Sequence, residues 1–139
     1  MTDLEIGYLG SKVGYEAAKD ILPKSFSLIH VVPEDRDSTA RLAHCHAIID
    51  ASMRYEFSAE FFDVANKLKI ISTATTGSDH IDYEAALRKG VRILTLKESP
   101  SVLRELTPAA EMTWTLLMAL ARNLIGAVQH TRDGEWLRE

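Results

Sequence analysis

The segment Thr75-Thr76-Gly77-Ser78-Asp79-His80-Ile81-Asp82 gathers the residues best suited to chemistry in this chain. It lies between a β-branched run and a helical pattern, where a glycine lets backbone approach a bound group closely. Unpaired N–H groups in such a turn attract anions. Asp79 and Asp82 equally suit a local role, as acceptors that cap backbone N–H groups, and the spacing fits both readings. His80 beside Asp79 invites an acid–base reading. Sequence neighbours point apart, however, which favours a structural hydrogen-bonding role for His80.

Three other groupings invite chemistry. His44-Cys45-His46 carries zinc-ligating residue types, but adjacent ligands do not comfortably reach one tetrahedral ion and no fourth ligand stands at a recognisable spacing. A small buried thiol between two partly exposed histidines is the competing reading. Gly10-Ser11-Lys12-Val13-Gly14 is glycine-bearing but lacks the G-x-G-x-x-G spacing of a dinucleotide turn, and no Walker pattern occurs, so a flexible turn is expected. Asp50, Thr75 and Lys97 each follow or end a strand candidate, where a receiver-like signalling domain would place a phosphoacceptor, a hydroxyl and a lysine. The acidic pair that such a domain needs for Mg²⁺ is replaced by Gly10-Ser11-Lys12.

These residues are positioned by short β-branched runs alternating with helical patterns. Strands are expected at Leu4–Leu9, Ser27–Val32, Ala47–Ala51, Lys69–Thr75 and Val91–Leu96. Apolar pairs such as Leu28-Ile29, Ile48-Ile49 and Ile70-Ile71 suit a parallel sheet covered on both faces. Phe61, Val64, Ala65 and Leu68 recur at helical spacing behind Ser58, a candidate N-cap. Asp82 caps the next helix with Ile81 stapled on Ala86, and Gly90 supplies a left-handed exit. Glu34 to Ser38 reads as a loop leading to a short helix. Lys97 to Leu106 reads as an irregular connection, and Thr107-Pro108 opens a helix to about Ile125 that is apolar on more than one face. A helix of that kind packs against something beyond one small sheet. Gly126 to Glu139 is polar apart from Trp136.

Composition narrows the function classes. With 139 residues, 46% hydrophobic and 26% charged, the chain is an ordinary globular protein. Sixteen basic against twenty acidic residues give a net charge of -4 with scattered Lys and Arg, which speaks against nucleic-acid binding. Cys45 is the only cysteine and fits a reducing compartment. The richest apolar stretch, Met112 to Ala121, is about half of the ~20 residues that a membrane span needs. A cytoplasmic protein without a membrane segment is expected.

Linked blocks then point to a family. Leu68 to Asp82, Ala85-Ala86 with Arg88-Lys89-Gly90-Val91, and Thr107-Pro108-Ala109-Ala110-Glu111 through Leu116 to Arg122 resemble the D-isomer-specific 2-hydroxyacid dehydrogenases in order and spacing. The likeness is to their N-terminal substrate-binding domain. It implies an α/β, flavodoxin-like, five-stranded parallel sheet with helices on both faces, over residues 1–106. Residues 107–139 would form a C-terminal interdomain and dimer helix with a linker toward a nucleotide-binding domain. Trp136 and Gly134 resemble the stretch just before that domain.

The resemblance further implies that backbone N–H groups of Thr76, Gly77 and Ser78 hold the carboxylate of a small 2-oxo or 2-hydroxy acid. The turn Ser52-Met53-Arg54 would face the same cleft. NAD or NADP would serve the parent enzyme and be bound by its second domain, as would the catalytic Arg, Glu and His. No catalytic, cofactor-binding or metal-binding residue is therefore expected in this chain, which alone should be inactive and should form a homodimer through Pro108–Ile125. A standalone dimerising or ligand-binding module is the alternative.

Overall fold

Continuous apolar strands joined by helices have one economical arrangement, a parallel sheet between helical layers, and the computed structural model has it. The structure describes residues 4–135. The chain divides into two compact units, Met1–Pro100 and Ser101–Glu139.

In the first unit the order is β1 (Leu4–Leu9), α1 (Lys12–Ile21), β2 (Phe26–Val31), α2 (Ser38–Ala43), β3 (Ala47–Asp50), α3 (Ala59–Val64), β4 (Ile70–Thr73), α4 (Tyr83–Arg88) and β5 (Arg92–Leu94). All strands pair in parallel, in the order β2-β1-β3-β4-β5. This is the flavodoxin-like order expected from the sequence. Right-handed crossovers set α1 on one face and α2, α3 and α4 on the other. Leu9, Val31, Ile48 and Ile71 are fully buried beneath the second layer, together with Leu42, Phe57, Phe61 and Phe62. On the α1 face Tyr8 packs edge-on against Tyr15 at 6.0 Å between ring centroids.

Local signals explain several boundaries. Asp82 accepts from the Ala85 N–H at 2.9 Å as the α4 cap, and Gly90 leaves that helix at φ +70°. Other expectations need correction. The fifth strand stops at Leu94, not Leu96, because Thr95 closes a capping box with Glu98 and starts a 3-10 turn over Leu96–Glu98. The helix drawn through Leu68 ends at Val64; Val64 is exposed, and Leu68 reaches the core from a turn before β4. Gly14 is not in a loose turn but in the first turn of α1.

The second unit is helical. Part of the expected irregular connection is a short helix, α5 (Pro100–Glu105), with proline at its first position. The long helix is broken in two, α6 (Pro108–Ala121) and α7 (Leu124–Arg132), because Asn123 adopts the left-handed conformation at φ 46°. Asparagine tolerates that region better than most residues. Trp136 lies outside the described residues. Among those described, no helix is long and apolar enough to cross a membrane.

Candidate functional site

In an open α/β sheet the carboxyl ends of the strands form the crevice for ligands. Here that edge carries the turns after β1 (Gly10-Ser11), β2 (Val32 to Glu34), β3 (Ala51 to Arg54) and β4 (Ala74 to Ser78). A cavity of about 270 Å³ opens among the first three, lined by Gly10, Ser11, Pro33, Glu34, Ser52 and Arg54. Arg54 forms an exposed ion pair with Glu34 at its rim.

The turn after β3 is built by Asp50, whose carboxylate is completely buried. Its Oδ1 accepts from the Ser52 N–H at 2.9 Å, the Ser52 hydroxyl at 2.9 Å and the Met53 N–H at 3.1 Å. Ser52 Oγ in turn accepts from the Arg54 N–H at 3.2 Å. This clasp holds Met53 at φ 55°, a conformation that costs a residue with a Cβ roughly 1 kcal/mol.

The turn after β4 is arranged differently. Thr75 Oγ1 donates to the Gly77 carbonyl at 2.8 Å, Thr73 Oγ1 donates to the Thr75 carbonyl at 3.1 Å, and Ser78 Oγ shares a 2.8 Å hydrogen bond with the Tyr83 hydroxyl. Side chains thus take up the carbonyls. Among the described residues no acceptor meets the backbone N–H of Thr76, Gly77 or Ser78. A Cβ at Gly77 would lie 3.3 Å from Met53 Cε, so the two turns meet at this point. The structure therefore brings Met53 and Gly77 together, with Ser52 at the base of the β3 turn and Thr76 and Ser78 flanking Gly77.

His80 was legible as a hydrogen-bonding residue, but its partner was not. Nε2 lies 2.7 Å from Asp50 Oδ2, thirty positions away in sequence, and the ring is only 11% exposed. Nδ1 is buried and meets no partner among the described residues. Asp79, by contrast, is exposed. With both carboxylate oxygens bonded and no surface exposed, Asp50 is not presented as a phosphoacceptor would be.

The remaining motifs resolve into structure. Cys45 Sγ donates to the Arg41 carbonyl at 3.4 Å, His46 Nδ1 accepts from the Glu5 N–H at 3.2 Å, and His44 is exposed. These three side chains do not converge. The β1–α1 turn does not fit a dinucleotide phosphate. Ser11 Oγ already accepts from the Gly14 N–H at 3.1 Å, and the Tyr8 hydroxyl fills the space at Gly14, where a Cβ would lie 2.1 Å away.

Comparisons with known proteins agree with one another. The family model "D-isomer specific 2-hydroxyacid dehydrogenase, catalytic domain" matches residues 12–122. A glyoxylate reductase of Thermococcus gammatolerans is 36% identical over 124 residues, covering 86% of this chain and 35% of that protein. A D-3-phosphoglycerate dehydrogenase of Rattus norvegicus is 36% identical over 100 residues, covering 72% of this chain and 18% of its own length. The chain thus spans about a third or less of these curated relatives. The NAD-dependent formate dehydrogenase of Staphylococcus aureus, solved in complex with NAD, shares the fold with a TM-score of 0.75 at 22% identity, over 96% of this chain and 43% of that one.

Proposed function

Because the chain belongs to the D-isomer-specific 2-hydroxyacid dehydrogenase family, matching its catalytic domain, we propose that it is the substrate-binding part of an oxidoreductase interconverting 2-oxo and 2-hydroxy acids. The observation that carries this reading is the run of three N–H groups at Thr76, Gly77 and Ser78, unmatched by any acceptor among the described residues, at the carboxyl edge of the sheet. A carboxylate offers lone pairs for such donors, and their fixed dipoles hold it without spending a charged side chain. Gly77, lacking a Cβ, leaves room for close approach beside Met53. Ser52 and Met53 form the opposite wall. In this reading the chain binds and orients a small acid by its carboxylate and so presents C2 in one pose.

NAD or NADP is assigned to residues of the parent enzyme other than these, since the β1–α1 turn does not accommodate a dinucleotide phosphate. The chain alone is accordingly expected not to oxidise NADH in the presence of glyoxylate. We also place it in the cytoplasm and assign the Pro108–Ile125 region to a homodimer contact. Trp114, Leu117 and Leu120 are all more than half exposed there, a pattern that favours self-association.

Titration of the ¹⁵N-labelled chain with oxamate, an unreactive 2-oxo acid analogue, tests the carboxylate site. The largest amide shifts are expected at Thr76, Gly77 and Ser78, saturating at roughly millimolar concentration for a half-site. Shifts confined to other turns, or none at all, would refute the assignment.

A further inference from the structure

A carboxylate cradle works only if the turns on either side of it keep a set separation, and here a buried polar pair spans that separation. Beyond the ladder bond from the Ala74 N–H to the Asp50 carbonyl at 2.8 Å, one hydrogen bond among those described joins the two turns, from His80 Nε2 to Asp50 Oδ2. On one side Asp50 clasps Ser52 and Met53 through its other oxygen. On the other side His80 closes the segment that holds Thr76, Gly77 and Ser78, and its carbonyl accepts from the Phe57 N–H at 2.8 Å. The imidazole is therefore anchored in the backbone behind the cradle while its ring reaches across to the facing turn.

We propose that Asp50 and His80 are positioning residues, a buried clamp that sets the Met53 wall against the Gly77 backbone and so fixes the width of the acid-binding cleft. This rests on Thr76 to Ser78 being the carboxylate cradle. Three features separate it from ordinary packing. The fully buried Phe57 lies 6.0 Å from the His80 ring between centroids, so packing against this neighbour alone would be served equally by an aliphatic side chain. The ring keeps its bond to Asp50 although Nδ1 is buried and meets no partner among the described residues. Moreover, the clasped residue is Met53, whose left-handed backbone needs an external hold and whose methyl marks the point where the two turns meet.

The test compares the full chain with His80→Leu and His80→Gln, each checked for folding by circular dichroism. Gln can place an amide N–H where Nε2 stands; Leu keeps bulk and removes the bond. Without ligand, the nuclear Overhauser contact between the Met53 methyl and the Gly77 α-protons is expected in wild type and His80→Gln and lost in His80→Leu. Oxamate affinity is expected to fall by about tenfold in His80→Leu and to be restored to within about threefold in His80→Gln, the scale of one orienting hydrogen bond. A folded His80→Leu that retains the contact overturns the proposal. Should His80→Leu not fold, His80→Phe replaces it, since a ring keeps the shape of the imidazole and removes the bond; an unchanged Met53–Gly77 contact there overturns the proposal equally. If wild type does not bind oxamate at Thr76 to Ser78, the cradle assignment fails by itself, while the ligand-free contact still decides whether the pair positions the turns.

Discussion

Replacing Asp50 by Ala should be among the most damaging single changes in this chain, and the structure allows its cost to be built up. The carboxylate is fully buried and accepts four hydrogen bonds, from two backbone N–H groups, a hydroxyl and His80 Nε2. Ser52 is half-buried and Met53 is 40% exposed, so water can replace the lost acceptor for these donors at about 0.5–1 kcal/mol each. His80 is 11% exposed and has no such recourse; its Nε2 would stay unpaired at about 1–3 kcal/mol. The total is about 2.5–6 kcal/mol, which brackets the ~3–5 kcal/mol for removing one member of a buried polar pair. In urea unfolding followed by far-UV circular dichroism, that loss shifts the midpoint by at least about 1 M. Asp50→Asn, which keeps an oxygen for Ser52 and Met53, should cost only about 1–2 kcal/mol. An Asp50→Ala variant within about 0.5 kcal/mol of wild type would refute the claim that this residue builds the turn. Equal losses for Ala and Asn would show that the oxygen facing Ser52 and Met53 contributes nothing.

Met53→Gly should lower stability by about 1–2 kcal/mol net, because the side chain is only 40% exposed and the lost burial, about 2–3 kcal/mol, outweighs the ~1 kcal/mol that glycine relieves at φ 55°; an unchanged or raised urea midpoint would contradict this. Burial above all, with the negative charge of Glu5 adding and Arg41 opposing, pushes the Cys45 thiol from 9.0 up to about 11. The unfolded thiol therefore releases its proton first as pH rises, and stability falls between about pH 9 and pH 11 by up to roughly 2–3 kcal/mol, a component that Cys45→Ala should abolish in pH-dependent urea titrations. Sedimentation at tens of micromolar should show a dimer or larger species, as an order of magnitude for so apolar an exposed surface; a clean monomer would remove the assignment of the Pro108–Ile125 region.

What could be read from the sequence were features whose cause is local. The first strand was legible at both ends, and the Asp82 cap and Gly90 exit were visible because each is decided within one turn of helix. The misread boundaries also have local causes. Thr95-Leu96-Lys97-Glu98 carries the spacing of a capping box, and that signal, present in the residues, outweighs the β-branched run before it. Asn123 likewise marked a possible left-handed break in a helix otherwise continuous in apolar character. Periodicity alone passes over both, since it counts faces and not the backbone groups that must find partners.

The candidate site divides along the same line. Thr76, Gly77 and Ser78 could be singled out because glycine and small polar residues after a strand have a local meaning. Asp50 and His80 could not be joined, because nothing in a sequence pairs two polar residues thirty positions apart until the register is known. Once β3 and β4 are adjacent and Asp50 stands opposite Thr73, the end of one strand necessarily faces the turn that leaves the other. A buried carboxylate at that place then requires a donor from the neighbouring turn, and among Thr75 to Asp79 the side-chain hydroxyls are already directed to Gly77 and Tyr83 or lie on exposed Thr76. His80 is the next donor along the chain that faces inward, so sheet topology, and not composition, selects it.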